Sequence, residues 1–169
     1  MRTIMELMNL DGRKAIVTGA AGSIGHQIAI TIAELGGQLI LVDHPDSDFS
    51  LLRNKLEEFS TTKAEFIKCD LENKNQRFDL IESINKNFAD SLTILVNNAA
   101  FGGESKLNGW IDDLEGQSIE TWCRAIEVNL TAAFDLSKGL YKTLGKNQNG
   151  SIINIGSIYG SCGPRHSLY

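Results

Sequence analysis

Five short apolar runs, rich in β-branched residues, recur along this chain, and segments with helical periodicity separate them. The runs read AIVT, LILVD, EFIKC, LTILVNN and SIINIG, at residues 15–18, 39–43, 65–69, 92–98 and 151–156. Near-continuous apolar runs of this length are typical of parallel strands that are buried on both faces of a sheet. Because each parallel strand needs a crossover connection to the next, the alternation predicts an α/β fold with a doubly wound parallel sheet.

Apolar residues at three- and four-residue spacing predict four helices between the strands. The first has one apolar face that ends at a glycine pair, formed by Ile24, Ile28, Ile32 and Leu35 before Gly36 and Gly37. Two further helices are predicted near 51–59 and 78–88. The longest is predicted over about 118–144, where Gly145 would end it, with a stripe formed by Trp122, Ile126, Leu130, Phe134 and Ser137. The stretch 101–116 is predicted to be a long loop at the carboxyl end of a strand, where open α/β sheets bind ligands.

Length, composition and charge favour one soluble domain over residues 1–169. Of the 169 residues, 42% are apolar and 22% are charged, as in ordinary globular domains. Lys and Arg are scattered and the net charge is −5, which argues against a nucleic-acid surface. The N-terminal segment lacks the apolar core of a signal peptide, and no run reaches the roughly 18 apolar residues of a membrane span. We therefore expect a cytoplasmic protein.

The cysteines and histidines do not form a metal-binding pattern. Cys69, Cys123 and Cys162 lie far apart in the sequence, and no pair has the spacing of metal ligands. An odd number of isolated cysteines is typical of free thiols in a reducing compartment. No metal site is predicted.

The first strand continues directly into a glycine-rich turn, TGAAGSIG, at residues 18–25. Gly19, Gly22 and Gly25 are separated by two residues each. Glycine permits a positive φ, a close approach of the backbone to a pyrophosphate and tight packing of helix on sheet. The following helix would present its free N–H groups and positive dipole end to the phosphates. Strand, glycines, helix and second strand together predict a Rossmann-type dinucleotide-binding site.

Asp43 ends the second strand, about 20 residues after the glycines, where an acidic side chain binds ribose hydroxyls in dinucleotide-binding folds. A carboxylate there would repel a ribose phosphate, so the sequence favours NAD over NADP as the cofactor. The alternative is that Asp43 caps the following loop, DHPDSD.

Five motifs follow the order and spacing of the short-chain dehydrogenase/reductase family, which the chain resembles over nearly its whole length. TGAAGSIG resembles the cofactor turn of that family, and Asp70-Leu71 resembles its adenine-binding pair. LVNNAA at 95–100 is similar to the Asn-Asn-Ala-Gly motif of the family. VNL at 128–130 resembles the helical segment with a catalytic Asn, and INIGS at 153–157 resembles the strand that ends at a catalytic Ser.

The resemblance implies a set of site residues. Toward the cofactor these would be Gly19, Ser23, Ile24 and Gly25 at the phosphates, Asp43 at the adenosine ribose, Asp70 and Leu71 at the adenine, and Asn97 and Ala99 at the nicotinamide ribose. Asn129 and Ser157 would belong to the catalytic group. Structural alternatives stay open: Asp70 could cap a strand end, Ser157 could be a turn hydroxyl, and Asn97 could connect neighbouring loops.

Two positions depart from the family pattern. Ser23 stands where the dehydrogenases usually have a glycine, and the resulting Gly-x-x-Gly-x-x-Gly order resembles the extended branch of sugar-nucleotide epimerases and dehydratases. The Asn-Asn-Ala motif and Asn129 resemble the simple dehydrogenase branch instead, and we favour that branch. Ala100 replaces the glycine that usually ends the Asn-Asn-Ala-Gly motif.

The resemblance implies hydride transfer between a nicotinamide and an alcohol or carbonyl substrate, with sugar derivatives among the candidates. Ser157 would bind the substrate oxygen, Asn129 would hold a water, and a Tyr with a Lys four residues later would transfer the proton. Tyr169 lies 12 residues after Ser157, near the usual spacing of the family, whereas Tyr159 is too close to the serine. Tyr169 is therefore the candidate catalytic Tyr, although a loop Tyr at this position is the alternative.

The expected Lys is not found in the sequence, because Gly163 follows Tyr159 at that spacing and the sequence ends at Tyr169. We therefore expect this chain to be the N-terminal portion of a family member, with the last strands missing and negligible turnover on its own. In full-length form the family resemblance implies a homo-oligomer. Two other functions stay open, a non-catalytic dinucleotide-binding module and a sugar-nucleotide epimerase or dehydratase.

Overall fold

A five-stranded parallel sheet forms the centre of the fold in the computed structural model, which describes residues 3–59, 62–102, 107–110, 112–146 and 150–162. The strands are β1 Lys14–Thr18, β2 Gln38–Asp43, β3 Ala64–Lys68, β4 Leu92–Asn97 and β5 Ser151–Asn154. Their order is β3-β2-β1-β4-β5, and each neighbouring pair is parallel. The predicted doubly wound sheet is confirmed, with strand ends shifted by one or two residues.

Helices cover both faces of this sheet. They are α1 Ile4–Met8, α2 Ser23–Glu34, α3 Ser50–Leu56, α4 Lys74–Asn87, α5 Ile119–Ile126 and α6 Ala132–Lys146. Ala15 and Val17 of β1 pack in a core cluster with α2 and α3, whereas Ile16 packs in a second cluster with α4 and α6. Burial on both faces explains why β1, β2 and β4 read as continuous apolar runs and not as alternating ones. The prediction of buried strands is wrong for β5, which lies at the edge of the sheet and is exposed at all four positions, and β3 at the other edge is only partly buried.

The longest predicted helix is interrupted, which corrects the expectation of one continuous helix over 118–144. A π-helical turn, Glu127–Thr131, lies between α5 and α6, and the Ala132 N–H donates to the Glu127 carbonyl five residues earlier. Helix α6 also continues to Lys146, so Gly145 lies within its last turn and does not end it. No helix in the described part of the chain has the length and apolar character to cross a membrane.

The apolar stripe predicted on this helical region faces away from the core. Trp122, Leu130 and Phe134 are each 60% or more exposed, and the buried side is formed by Ala125, Ala132, Leu136, Leu140 and Leu144. Helices α6 and α4 approach each other closely at Gly139, where an added Cβ would lie 2.6 Å from a side-chain carbon of Ile81.

Two other helices also differ from the pattern. Helix α4 begins at Lys74, before the predicted 78, because the Asn73 side chain caps it by accepting from the amides of residues 75 and 76. Phe78, which was predicted on its apolar face, is 62% exposed. Helix α1 has no counterpart in the sequence prediction, and a capping box between Thr3 and Glu6 begins it.

Candidate functional site

The turn between β1 and α2 has the geometry of a phosphate-binding site. Gly19 has a φ of +65°, in the left-handed region that favours glycine. A Cβ on Gly25 would lie 2.1 Å from the Gly19 carbonyl oxygen, so no side chain fits there. Helix α2 begins at Ser23 with no side chain capping its N-terminus. The first-turn amides therefore have no partner within the helix and are available to an anion, which fits a dinucleotide pyrophosphate.

Thr18 and Asn98 fix this turn against the end of β4. The Thr18 hydroxyl donates to the Val96 carbonyl at 3.3 Å and accepts from the amides of Asn98 and Ala99 at 3.0 Å each. The Asn98 amide group donates to the carbonyls of Thr18 and Gly19 at 2.9 and 3.1 Å. Neither residue was predicted as a site residue, although both lie in the two motifs that the sequence singled out. Together they hold the glycine turn and the Asn-Asn-Ala segment at one edge of the sheet.

Asp43 caps the loop after β2, as the alternative interpretation predicted, and it also contacts the glycine turn. Its Oδ1 accepts from the His44 amide at 2.7 Å and the Ser47 hydroxyl at 2.6 Å, as a loop cap would. Its Oδ2 accepts from the Ala21 amide of the glycine turn at 2.7 Å. Because a carboxylate offers about four acceptor positions, one remains for a ligand. Asp43 also lines the cleft beside the turn.

That cleft has a volume of about 680 Å³ and opens at the carboxyl ends of the central strands. Its lining includes the predicted phosphate residues Gly19, Ser23, Ile24 and Gly25, together with Asp43 and Asp48. Hydrogen bonds from the Ser50 hydroxyl and amide lower the pKa of the Asp48 carboxyl below its usual value, so this group is charged at neutral pH. Among the described residues that line the cleft, none is a Lys or an Arg. The cleft is therefore acidic beside its phosphate-binding turn.

A second pocket of about 310 Å³ adjoins the cleft and shares Gly19 and Asp43 with it. Asp70 and Leu71, the predicted adenine-binding pair, line this pocket, as does Ala99. The structure therefore brings these three predicted residues together beside the cleft. Asp70 Oδ1 accepts from the Glu72 amide at 2.9 Å. Asp70 therefore also caps the end of the strand, which was the structural alternative to adenine binding.

Asn97 lies inside the protein instead. It is 7% exposed, and its Nδ2 donates to Asn154 Oδ1 at 2.8 Å and to Ser137 Oγ at 3.1 Å. These contacts connect β4 to β5 and α6. Asn97 does not line either of the two cavities described above, and its predicted ribose contact stays a prediction.

The candidate catalytic residues lie on different elements. Asn129 lies in the π-helical turn, where its Oδ1 accepts from the Phe101 amide at 2.5 Å and its Nδ2 donates to the Phe101 carbonyl at 3.3 Å. Ser157 follows β5, and its Oγ accepts from the Tyr159 amide at 3.2 Å. Tyr169 lies outside the described residues. The side chain of Asn129 thus holds the loop after β4, and its predicted water contact stays a prediction.

Arg77 is a buried charge that the sequence reasoning missed. It is 2% exposed, and its guanidinium forms ion pairs with Glu127 and Asp135, at 2.5 and 3.0 Å. It also donates to the carbonyls of Leu71 and Glu72, at 2.7 and 3.2 Å. The sequence did contain one indication of this buried charge, because Arg77 lies within the apolar pattern of α4. A buried Arg is almost always paired, so acidic partners could have been expected. Arg77 connects the predicted adenine pair to the turn that carries Asn129.

Cys69 is buried, whereas Cys123 and Cys162 are exposed. Burial raises the pKa of the Cys69 thiol to about 11, with a smaller contribution from the charge of Asp70, so the thiol is protonated at neutral pH. All three cysteines are free. Within the described residues, no cluster of His, Cys, Asp and Glu could hold a metal ion.

The chain belongs to the short-chain dehydrogenase family, whose model matches residues 13–169. It is 33% identical over 154 residues to a short chain dehydrogenase/reductase of Gibberella zeae, a match that covers 90% of this chain and 54% of that protein. It is also 31% identical over 156 residues to a 3-oxoacyl-acyl-carrier-protein reductase of Vibrio cholerae, covering 92% of this chain and 59% of the relative.

Solved structures show the same fold. The crystal structure of L-sorbose reductase from Gluconobacter frateurii, complexed with NADPH and L-sorbose, superposes with a TM-score of 0.78 at 26% identity. The match covers 91% of this chain and 56% of that one. The chain thus spans between half and two thirds of the length of the relatives it matches.

Proposed function

We propose that the protein is an NAD-dependent oxidoreductase that transfers a hydride between the nicotinamide and an alcohol or carbonyl carbon of a small-molecule substrate. The observation that carries this proposal is the turn at 19–25, where the steric limit at Gly25 and the uncapped start of α2 suit a pyrophosphate. The named relatives are a dehydrogenase/reductase and two reductases, which favours this reaction over epimerisation or dehydration.

In this proposal Gly19, Ser23, Ile24 and Gly25 bind the phosphates, Asp43 binds the adenosine ribose, and Asp70 and Leu71 border the adenine. Bound NAD supplies the hydride acceptor at its nicotinamide ring. The Ser157 hydroxyl donates to the substrate oxygen, since its Oγ already accepts from the Tyr159 amide. The proton of the substrate hydroxyl is assigned to Tyr169 Oη. Asn129 holds the Phe101 backbone beside the cofactor pocket.

The acidic cleft supports NAD over NADP. A ribose 2′-phosphate near Asp43 and Asp48 would meet two carboxylates, and no described Lys or Arg lines the cleft to bind it. The L-sorbose reductase structure contains NADPH, so membership of the fold does not select the cofactor. In this proposal, the residues at the end of β2 determine whether NAD or NADP is preferred.

Replacing Asp43 by Ser is expected to weaken NAD binding about tenfold, because a charged hydrogen-bond acceptor for the ribose is lost. NADP binding is expected to improve relative to NAD, since the repulsion of the phosphate is reduced. Titration calorimetry with both dinucleotides measures the change. Asp46→Ser is the matched control, because the Asp46 side chain is 93% exposed in the same loop and does not line the cleft. An unchanged NAD to NADP ratio in Asp43→Ser would contradict the assignment.

The free thiols are consistent with a reducing compartment, and we place the protein in the cytoplasm on that ground.

The exposed stripe on the α5–α6 region supports a homo-oligomer. Trp122, Leu130 and Phe134 are exposed apolar side chains on one side of this region, a feature of surfaces that bind other protein chains. A second copy of the chain would cover it.

Phe134→Glu is expected to shift the protein toward monomer in sedimentation velocity experiments, because it places a charge within the apolar stripe. Lys142→Glu, at an exposed polar position of the same helix, is the control and is expected to leave the oligomer intact. If the Phe134→Glu protein sediments like the wild type, this stripe is not part of the interface.

A further inference from the structure

The pocket that contains Asp70 and Leu71 is also lined by a basic side chain. Arg124 of α5 lines this pocket together with Asp70, Glu72 and Phe101. Among the described lining residues it is the one Arg, and the described lining contains no Lys. The pocket therefore offers a carboxylate acceptor and a guanidinium donor to the same ligand.

Arg124 is fixed in this position by contacts on two sides. Its Nε donates to both carboxylate oxygens of Glu72, at 2.9 and 3.0 Å. Its guanidinium carbon lies 5.1 Å from the centre of the Phe101 ring. The side chain is 39% exposed, and its Nε is held by Glu72. A planar guanidinium held in this way loses little further entropy on binding a ligand.

Both partners of Arg124 are themselves held by residues already described. The buried Arg77 donates to the backbone carbonyl of Glu72 at 3.2 Å. Asn129 holds Phe101 by two hydrogen bonds to its backbone. Arg77 also pairs with Glu127 at the start of the π-helical turn, so the supports of Glu72 and of Phe101 are joined to each other through this turn. The position of Arg124 is thus determined before any ligand arrives.

A purine base matches this arrangement. Adenine presents an amine donor beside a ring-nitrogen acceptor along one edge, and its ring face attracts a guanidinium. Asp70 can accept from the amine, and the terminal N–H groups of Arg124 can donate to a ring nitrogen or stack on the ring. An apolar side chain at residue 124 would leave the ring nitrogens without a donor from this element.

We propose that Arg124 is a cofactor-binding residue, whose guanidinium contacts the adenine ring of the dinucleotide. The proposal rests on the proposed function, because it takes the dinucleotide as the ligand. It adds to the nucleobase pocket a residue from α5, an element outside the motifs that define the cofactor turn.

Arg124→Leu tests this assignment in titrations with NAD, with AMP and with reduced nicotinamide mononucleotide, which has no adenine. The dissociation constants for NAD and AMP are expected to rise about tenfold, and that for the mononucleotide is expected to stay within twofold. Arg124→Lys keeps the charge without the planar group and is expected to recover only part of the loss. The melting temperature shows whether each variant is folded. If Arg124→Leu does not fold, the binding measurements on Arg124→Lys test the proposal.

Arg53→Leu is the matched control, because the Arg53 guanidinium also lies over an aromatic ring, 4.0 Å from the centre of Phe66, outside this pocket. Unchanged NAD and AMP binding in folded Arg124 variants overturns the proposal while the proposed function stands. An equal loss for the mononucleotide also overturns it, since the effect would not act through the base. A wild-type protein that binds none of the three ligands contradicts the proposed function itself.

Discussion

Gly25→Ala is expected to weaken NAD binding roughly 10- to 100-fold and to lower the free energy of unfolding by about 1–3 kcal/mol. The added Cβ would lie 2.1 Å from the Gly19 carbonyl oxygen and 2.8 Å from Asn98 Nδ2. Either the first turn of α2 or the backbone at Gly19 must move, and both border the proposed phosphate site. Calorimetry and denaturant unfolding measure the two effects.

Gly22→Ala is the matched control for this result. A Cβ there would lie 3.4 Å from the same carbonyl oxygen, an ordinary contact, and Gly22 has a φ of −73° that any residue adopts. The variant is expected to bind NAD within a few-fold of the wild type. If the two variants lose NAD affinity equally, the steric account of the turn is wrong.

Arg77→Met is expected to lower the free energy of unfolding by about 2–4 kcal/mol, because breaking a buried ion pair leaves charges and carbonyls without a partner. The expected loss of stability is smaller than for a fully buried ion pair, because the side chains of Glu127 and Asp135 are each 33% exposed and regain some hydration. Chemical denaturation measures the change. Lys74→Met, at an exposed position in the first turn of the same helix, is expected to have little effect.

The partners of Arg77 provide a further check. Adding Glu127→Gln and Asp135→Asn to Arg77→Met removes both unpaired carboxylates and is expected to recover part of the lost stability. No recovery would show that the loss comes from packing and from the carbonyls of Leu71 and Glu72, and not from the carboxylates.

The sheet and the glycine turn could be predicted from the sequence because local rules and the tertiary structure agree there. Ile16 and Val17 are buried on opposite faces of the sheet, so both are apolar. Gly19 and Gly25 are required by a backbone conformation and a close contact, which no other residue satisfies. Such requirements restrict the residue type at a position, so they can be recognised in the sequence.

The site around the second pocket could not be predicted in the same way. The contacts of Arg77 and Arg124 join residues 50 to 58 positions apart, so local spacing does not indicate which residues pair with them. Both sides of the α5–α6 region carry apolar residues, so periodicity alone could not decide which side packs against the sheet. The π-helical turn carries Asn129, whose side chain accepts from the amide of Phe101, 28 residues earlier in the chain, and local periodicity does not indicate such a contact.

Hydrogen exchange with and without saturating NAD tests the central claim, that the dinucleotide binds along this edge of the sheet. We expect slower exchange at the amides of Ser23, Ile24 and Gly25, which have no partner within α2, and at the segment 70–72 beside the second pocket. Protection confined to other parts of the chain, or no NAD binding at all, would contradict the account.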